Sequence, residues 1–165
     1  MAWGKNGTPN TLTSAGNTIT ISDLTAKKFN VFLSHIIGVA SSSALGNIRV
    51  GNGSVDSGSN YTNRMSQDGG ADGTYASESY IFGTYAGGSP YDNDKFQIVY
   101  GVNIGTEEKL FILFGIDFNA TGSSSVPSRQ QVVAKWTNTS DQYDNVQEFS
   151  TSYDTGSNLS AFGTD

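Results

Sequence analysis

The chain of 165 residues contains no cysteine, one histidine and three prolines. The absence of cysteine excludes a disulfide framework and a thiolate metal site, and it fits assembly in a reducing cytoplasm. It is also compatible with an extracellular end use. A single histidine cannot supply the several imidazole or thiolate ligands that a zinc site normally requires.

Side chains that commonly carry catalysis are scarce. His35 lies within an apolar run and is interpreted as a partly buried structural side chain, not as a general base. A glycosidase needs two carboxylates a few ångströms apart across a cleft, and no glutamate here has a neighbouring carboxylate in a setting that would raise its pKa. We therefore expect no enzyme activity. The glutamates are Glu78, Glu107, Glu108 and Glu148.

Charge is sparse and mostly negative, with nine Lys and Arg against fifteen Asp and Glu and a formal net charge of −6. Phosphate binding draws on clustered cations, and the cations here are scattered, so we expect no nucleic-acid partner. The first ten residues lack the apolar core of a secretory signal. No run approaches the 18 or so apolar residues that would cross a membrane. We therefore expect no signal peptide and no membrane partner.

No cofactor is expected, and calcium is the alternative. Oxygen ligands from glycine-rich loops suit a hard cation, and four aspartates lie in such segments. Neither an EF-hand nor a Gly-Gly-x-Gly-x-Asp repeat is present, so solvated turn side chains are the preferred interpretation. The four aspartates are Asp68, Asp72, Asp92 and Asp94.

Glycine is abundant, with 20 residues, and short apolar runs alternate with clusters rich in Gly, Ser and Asn. The hydrophobic content of 36% can fill one core. No segment combines helix-forming residues over three turns. These features predict an all-β protein, an antiparallel β-sandwich of jelly-roll type over residues 15–165, with a barrel as the alternative. Residues 1–14 are predicted to form an N-terminal arm, or else a flap that lies on the sandwich.

The clearest pattern is a long β-hairpin built from two runs in which every second residue is apolar. Because side chains of one parity share a face of a strand, the even-numbered residues are predicted to face the core. The expected register centres on Glu107, sets Ile104 opposite Leu110 and leaves Gly105 to Lys109 as the turn. The predicted core residues are Phe96, Ile98, Tyr100, Val102, Ile104, Leu110, Ile112, Phe114, Ile116 and Phe118.

The same register places three large apolar side chains, Val99, Phe111 and Leu113, together on the outer face beside two glycines. An antiparallel hairpin needs one covered face, so an apolar outer cluster must also be covered. The N-terminal arm with Trp3 is one cover, a subunit interface is another, and an incorrect register is the third alternative. The interface interpretation includes Trp3 and predicts a homo-oligomer, a trimer or a higher assembly.

Five patches of the chain read SDLTAKKF, VFLSHI, LGNIRVGNGSVDSGSNYTNR, VVAKW and YDTGSNLSAFGTD, and the chain opens with MAWGKNGTP. The five patches resemble a broad group of tailed-phage virion proteins, and the opening and the ending resemble phage particle proteins from marine viral sequences. The group has a stretch of the form L-x-I-R-x-N-G-D-x-G-S-N-Y and a closing G-S-x-x-x-L-x-G tail, and here Val55 is inserted before Asp56. The matching positions are Ile48, Arg49, Asn52, Gly53, Asp56, Gly58, Ser59, Asn60 and Tyr61, then Gly156, Ser157, Leu159 and Gly163.

The central stretch also has a physical interpretation, as a loop that stabilises itself. Asn and Asp adopt left-handed backbone angles and bond to nearby amides, and Gly supplies positive φ. A tyrosine at the end of the loop can lay its ring over the end of the sandwich. The predicted structural-loop residues are Asn52, Asp56, Asn60 and Tyr61.

The resemblance implies a structural component of a phage virion, either a capsid decoration protein or a head or tail fibre component, with a baseplate or adaptor subunit as a further option. Such a protein would contact copies of itself and other virion proteins, and it would be made in the host cytoplasm. The alternative is a carbohydrate-binding module or a receptor-binding tip, since tyrosines that flank loops can stack on host glycans. Their simpler role is to cover the ends of the sandwich. These tyrosines are Tyr61, Tyr75, Tyr85, Tyr91 and Tyr143.

Overall fold

The computed structural model describes residues 2–39, 44–84, 94–117, 122–124 and 126–165. Within these ranges the secondary structure consists of twelve β-strands in two antiparallel sheets, one of nine strands and one of three. The same ranges contain no helix with the length and apolar character needed to span a bilayer. The predicted all-β sandwich is confirmed. The jelly-roll topology is not confirmed, since the strands divide nine to three.

The strands follow from segments rich in β-branched and aromatic residues, bounded by Gly, Asn, Asp and Ser. The large sheet has the order β1-β12-β4-β8-β9-β10-β6-β7, with β2 also paired to β12, and the small sheet has the order β3-β11-β5. The strands are β1 (Gly4–Lys5), β2 (Asn10–Thr11), β3 (Gly16–Ile21), β4 (Phe29–Ile36), β5 (Asn47–Gly51), β6 (Tyr61–Gln67), β7 (Gly73–Glu78), β8 (Lys95–Val102), β9 (Lys109–Asp117), β10 (Ser128–Trp136), β11 (Asn145–Tyr153) and β12 (Asn158–Thr164).

Strands β8 and β9 form the predicted hairpin, but with a register that differs by two residues. Val102, not Ile104, stands opposite Leu110. The ladder ends early because Asn103 bonds elsewhere. Its side-chain amide donates to the Tyr143 carbonyl over 3.0 Å, and its Oδ1 accepts the Tyr143 amide over 2.8 Å. The connection between the strands is therefore longer than the predicted five-residue turn.

The prediction of which hairpin face meets the core is wrong. Val99, Phe111 and Leu113, expected on the outer surface, are 1%, 2% and 0% exposed and belong to the hydrophobic core. The even-numbered residues of both strands point outward instead. Ile104 lies beyond the end of β8, and Phe118 is outside the described residues.

The inward face accepts polar residues because each of them finds a partner. The Lys95 Nζ lies 3.4 Å from the Asp117 Oδ2, and both side chains are 2% exposed. The Gln97 amide donates to the Glu148 Oε1 over 2.8 Å, across the space between the sheets. Buried polar groups are tolerated when they are paired in this way. A count of hydrophobic residues on each face therefore selects the wrong face.

Two glycines let the covering loops approach the inward face closely. A Cβ atom on Gly115 would overlap the Thr84 side chain, and one on Gly101 would lie 2.7 Å from the Tyr143 hydroxyl oxygen. The Tyr143 ring in turn packs on the Phe111 ring, with centroids 5.8 Å apart. The glycines thus mark where the hairpin is covered by this chain's own loops.

The hydrophobic core lies between the small sheet and one face of the large sheet. The small sheet packs on that face only, so the opposite face of the large sheet lies outside the core. The buried core residues are Ile19, Ile21, Leu24, Phe32, Ile36, Ala44, Ile48, Val50, Tyr61, Ile81, Val99, Phe111, Leu113, Val132, Ala134, Trp136, Tyr143, Val146, Tyr153, Leu159 and Ala161.

The N-terminal segment lies along the edge of the large sheet. Strands β1 and β2 both pair with β12. Asn6 is 2% exposed, its side-chain amide donates to the Asn30 Oδ1 over 2.8 Å, and its Oδ1 accepts the Thr25 amide over 2.8 Å. These bonds attach the described part of residues 1–14 to the sandwich.

Neighbouring residues on β9 test the face assignment directly. We expect Leu113→Ala to lower the free energy of unfolding by about 3 kcal/mol, because it leaves a cavity in the core. Phe114→Ala, one residue further on, removes a side chain that is 48% exposed, and we expect a cost below about 1 kcal/mol. Urea unfolding at low protein concentration measures both. A larger loss for Phe114→Ala would contradict the observed orientation of the hairpin.

Candidate interaction surface

The outward face of the large sheet is apolar across its three central strands. β4, β8 and β9 each present four side chains away from the small sheet, and all but His35 are aliphatic or aromatic. We call this surface the outer face. It consists of Phe29, Val31 and Leu33 on β4, Phe96, Ile98, Tyr100 and Val102 on β8, and Leu110, Ile112, Phe114 and Ile116 on β9, extended by Val133 of β10 and Phe162 of β12.

Many of these side chains are open to solvent. Single exposed apolar residues are common on soluble proteins, whereas contiguous apolar patches larger than a few hundred Å² are rare. Eight large side chains of the outer face are between 36% and 56% exposed. They are Phe96, Tyr100, Leu110, Ile112, Phe114, Ile116, Val133 and Phe162.

The strand register assembles the outer face into continuous cross-strand rows. In one row, Tyr100 pairs with Val31 on one side and with Ile112 on the other, and Ile112 pairs with Val133. Side chains that stand opposite one another on adjacent strands are in contact distance. The row therefore gives an unbroken apolar band across four strands.

At the hairpin end, the outer face forms a groove with a volume of ≈ 820 Å³. Trp3, which precedes β1, and Tyr75 of β7 both line this groove although they come from opposite edges of the sheet. The sheet is therefore curved around the groove. Trp3 is 52% exposed there, so the structure places this predicted interface residue beside the outer face.

Cationic side chains border the outer face on the β10 and β6 side. Lys135 lies 2.7 Å from the Glu108 carboxylate, and Arg64 lies 3.5 Å from the Asp72 carboxylate. The outward positions of β4, β6, β8, β9, β10 and β12 include no Asp or Glu. At the far end of β4, the His35 Nε2 lies 3.5 Å from the Asp94 Oδ2, with the His35 side chain 50% exposed.

Of the aspartates proposed for calcium, those within the described residues contact other groups of the chain. In the described part of the chain, no three His, Asp or Glu side chains converge in a way that could hold a metal ion. Asp68 accepts the Arg129 backbone amide over 2.8 Å, and Asp72 and Asp94 lie beside Arg64 and His35. Asp92 lies outside the described residues.

The loop between β5 and β6 is held by hydrogen bonds that converge on Asp56. Its Oδ1 accepts the Gly58 amide over 2.8 Å, and its Oδ2 accepts the Asn60 side chain over 2.8 Å and the Trp136 indole N–H over 2.7 Å. Burial opposes ionisation, but these bonds together lower the pKa of Asp56. The Asp56 carboxylate therefore serves as an acceptor that binds the loop to the sandwich.

Tyr61 and Asn52 fix the two ends of the same loop. The Tyr61 hydroxyl donates to the Val50 carbonyl over 2.8 Å, and its side chain is fully buried. The Asn52 side-chain amide donates to the Gln142 carbonyl over 2.9 Å. The first contact is buried within the sandwich, and the second joins the loop to the neighbouring connection at the surface.

The described tyrosines among those proposed for glycan stacking do not form a common platform. Tyr61 and Tyr143 are buried, at 0% and 1% exposure. Tyr75 is 40% exposed and lies at the groove with its ring 4.6 Å from the Phe82 ring. Tyr85 and Tyr91 lie outside the described residues.

Glu148 carries a buried carboxyl group that sequence reasoning missed. It is 0% exposed on the inward side of β11, and burial raises its pKa to about 8, against the smaller lowering effect of the Ser34 hydroxyl. The cause is desolvation, not a neighbouring carboxylate. Its position in the polar stretch of β11 gave no signal of full burial.

No family model and no curated protein matches the chain. Among solved structures, the chain is similar to the CBM2 module of the evolved Dit of Lactobacillus casei BL23 phage J-1. The sequence identity is 15%, the match covers 95% of this chain and 76% of that chain, and the TM-score is 0.25.

The Asp56 contacts predict a measurable cost when the carboxylate is removed. We expect Asp56→Ala to lower the free energy of unfolding by about 2 kcal/mol, because it leaves the indole N–H and the loop amides without their acceptor. Ser57→Ala, in the same loop and exposed, is the control and should cost less than about 0.5 kcal/mol. Urea unfolding followed by tryptophan fluorescence measures both. Equal costs would contradict the role assigned to Asp56.

The buried Glu148 predicts a dependence of stability on pH. Its folded pKa of about 8 lies above the unfolded value of about 4.3, so folding favours the protonated form. The stability that this group contributes is fully present below about pH 4 and is lost as the pH rises to about 8, with a slope of up to about 1.4 kcal/mol per pH unit.

We expect Glu148→Gln to remove this dependence, because the amide has the same shape and does not titrate. The variant should unfold at higher urea concentration than the parent at pH 8, and the difference should vanish near pH 4. Glu107→Gln, at the exposed hairpin tip, is the control and should follow the parent at every pH. Parallel curves for Glu148→Gln and the parent would show that the carboxyl group is not desolvated.

Proposed function

We propose that this protein is a non-enzymatic structural component of a phage particle and that it acts through protein–protein contacts of the outer face. The observation that carries the proposal is the apolar band across β4, β8, β9 and β10, exposed on a sheet whose other face already covers the core. The resemblance of the patches around residues 48–61 and 156–163 to tailed-phage virion proteins supports the setting. A capsid decoration protein or a head or tail fibre component fits best.

The chemistry of the outer face favours a protein partner over a glycan. Sugar recognition requires directional polar groups as well as aromatic rings. Of the side chains that β4, β8 and β9 present outward, only Tyr100 and His35 carry a hydrogen-bonding group, and His35 lies at the far end of β4 beside Asp94. Aliphatic side chains such as Leu110, Ile112 and Ile116 match the apolar centre of a protein interface.

Analysis of purified particles tests this function. We expect mass spectrometry of particles from the phage that encodes this chain to detect it in many copies. Ile112→Asp places a charge in the middle of the outer face, and we expect at least a tenfold loss of incorporation, because a buried unpaired carboxylate is strongly disfavoured.

Two further variants separate a lost contact from a lost fold. Ile112→Thr keeps a β-branched side chain and should reduce incorporation with an unchanged β-sheet circular dichroism spectrum. Thr139→Asp adds the same charge on an exposed connection away from the outer face and should incorporate normally. Absence of the parent chain from the particles would overturn the function. So would saturable binding on a glycan array that is lost in Tyr75→Ala, which would favour the carbohydrate-binding alternative.

A further inference from the structure

We propose that the occupant of the outer face is a second copy of this chain, packed face to face about a twofold axis near the paired residues Tyr100 and Ile112. This inference rests on the proposed function, since it names the partner of the same surface. The argument uses the area of the outer face, its shape, its charge and its chemical composition.

The exposed area matches what a stable dimer buries. A large side chain presents on the order of 200 Å² when fully exposed, so the eight residues that are 36–56% exposed offer roughly 700 Å² of apolar surface. The largest apolar patch of an ordinary monomer is about 300–600 Å². Two outer faces would together bury about 1,400 Å², within the range of about 1,200–2,000 Å² that stable interfaces show.

The shape of a twisted sheet suits a second copy of itself. Sheets have a right-handed strand twist, which makes their surface a saddle. A saddle coincides with itself after a half-turn about an axis that lies in the sheet, so two identical sheets can pack face to face, as the two layers of an aligned sandwich do.

A half-turn about an axis across the strands also gives the groove an occupant. Val102 and Leu110 lie at the groove end of the hairpin, whereas Phe96 and Phe114 lie toward the opposite end. The half-turn reverses the strand direction and brings the phenyl rings of one copy over the groove of the other. Because the operation is symmetric, both grooves are filled.

Charge does not oppose this pairing locally, although each copy carries a net charge of −6. The outward positions of the six strands named above hold no carboxylate, and the bordering Lys135 and Arg64 are already paired with Glu108 and Asp72. Two outer faces in contact therefore desolvate few charges. The negative charge of each copy lies outside the outer face.

Sedimentation equilibrium of the purified recombinant chain tests the proposal. The parent is expected to be a dimer at micromolar concentration. Ile112→Asp is expected to be a folded monomer, and Ile112→Thr to raise the dissociation constant at least tenfold. Thr139→Asp should remain dimeric. A parent chain that stays monomeric up to about 100 µM, where a dimer of micromolar affinity would be almost fully formed, would overturn the twofold pairing. A trimer would overturn it as well.

Cysteine cross-linking locates the axis, because the chain has no cysteine of its own. Residues near a twofold axis meet their own copies, so Ile112→Cys should form a disulfide-linked dimer under mild oxidation. Thr139→Cys, the control, should remain monomeric on a non-reducing gel. Cross-linking of Thr139→Cys with none for Ile112→Cys would overturn the proposal.

The results for the pair and for the function are separable. The parent chain could be monomeric in solution and still enter particles, with incorporation lost in Ile112→Asp. That result would overturn the proposed dimer and assign the outer face to a different virion protein. A dimer in solution that is absent from particles would uphold the pair and overturn the proposed function.

Discussion

The orientation of the β8–β9 hairpin is the constraint on which the rest of the structure depends. Both faces of this ribbon carry large apolar side chains, so hydrophobicity alone does not decide which face meets the small sheet. Close packing against the covering loops and the pairing of buried polar groups determine which face is inward. Gly101 and Gly115 admit the Tyr143 and Thr84 side chains to one face only. Once that face is covered, the remaining apolar surface must point outward.

Buried charges at the far end of the ribbon reinforce that orientation. Lys95 stands directly opposite Asp117 in the ladder, and both side chains are almost completely buried. A buried pair adds little net stability because desolvation offsets the attraction, but separating its members is costly. A slip of one residue would turn every side chain to the other face, and a slip of two would leave each charge without its partner. We infer that the pair specifies register more than it adds stability.

Features that depend on residues close together in the sequence could be predicted. Features that depend on contacts between distant residues could not. Alternation along β8 and β9 is local, so the hairpin and the shared parity of its apolar residues were predictable, as was the all-β class. The Asp56 bonds to Gly58 and Asn60 span two and four residues and follow from turn chemistry. The Trp136 contact comes from 80 residues away and has no such signal.

The wrong prediction of the hairpin's inward face and the two-residue error in its register both come from contacts between distant residues. Asn103 leaves the ladder for Tyr143, and Gln97 enters the core for Glu148, each partner lying at least 40 residues away. One local signal was present. Gly101 and Gly115 share their parity with Val99, Phe111 and Leu113, and small residues beside large ones on a strand face mark a closely packed surface as readily as an exposed depression.

The edges of the large sheet explain why its face, not its border, is the surface left for association. An edge strand invites pairing with another chain unless it is short or irregular. One edge is formed by β1 and β2, each two residues long. The other is β7, where Ser77 has a φ of 58° and the pairing with β6 shifts register. Strand addition is disfavoured at both borders, whereas the outer face stays open, so a chain that folds on its inner core keeps its second apolar surface for a partner.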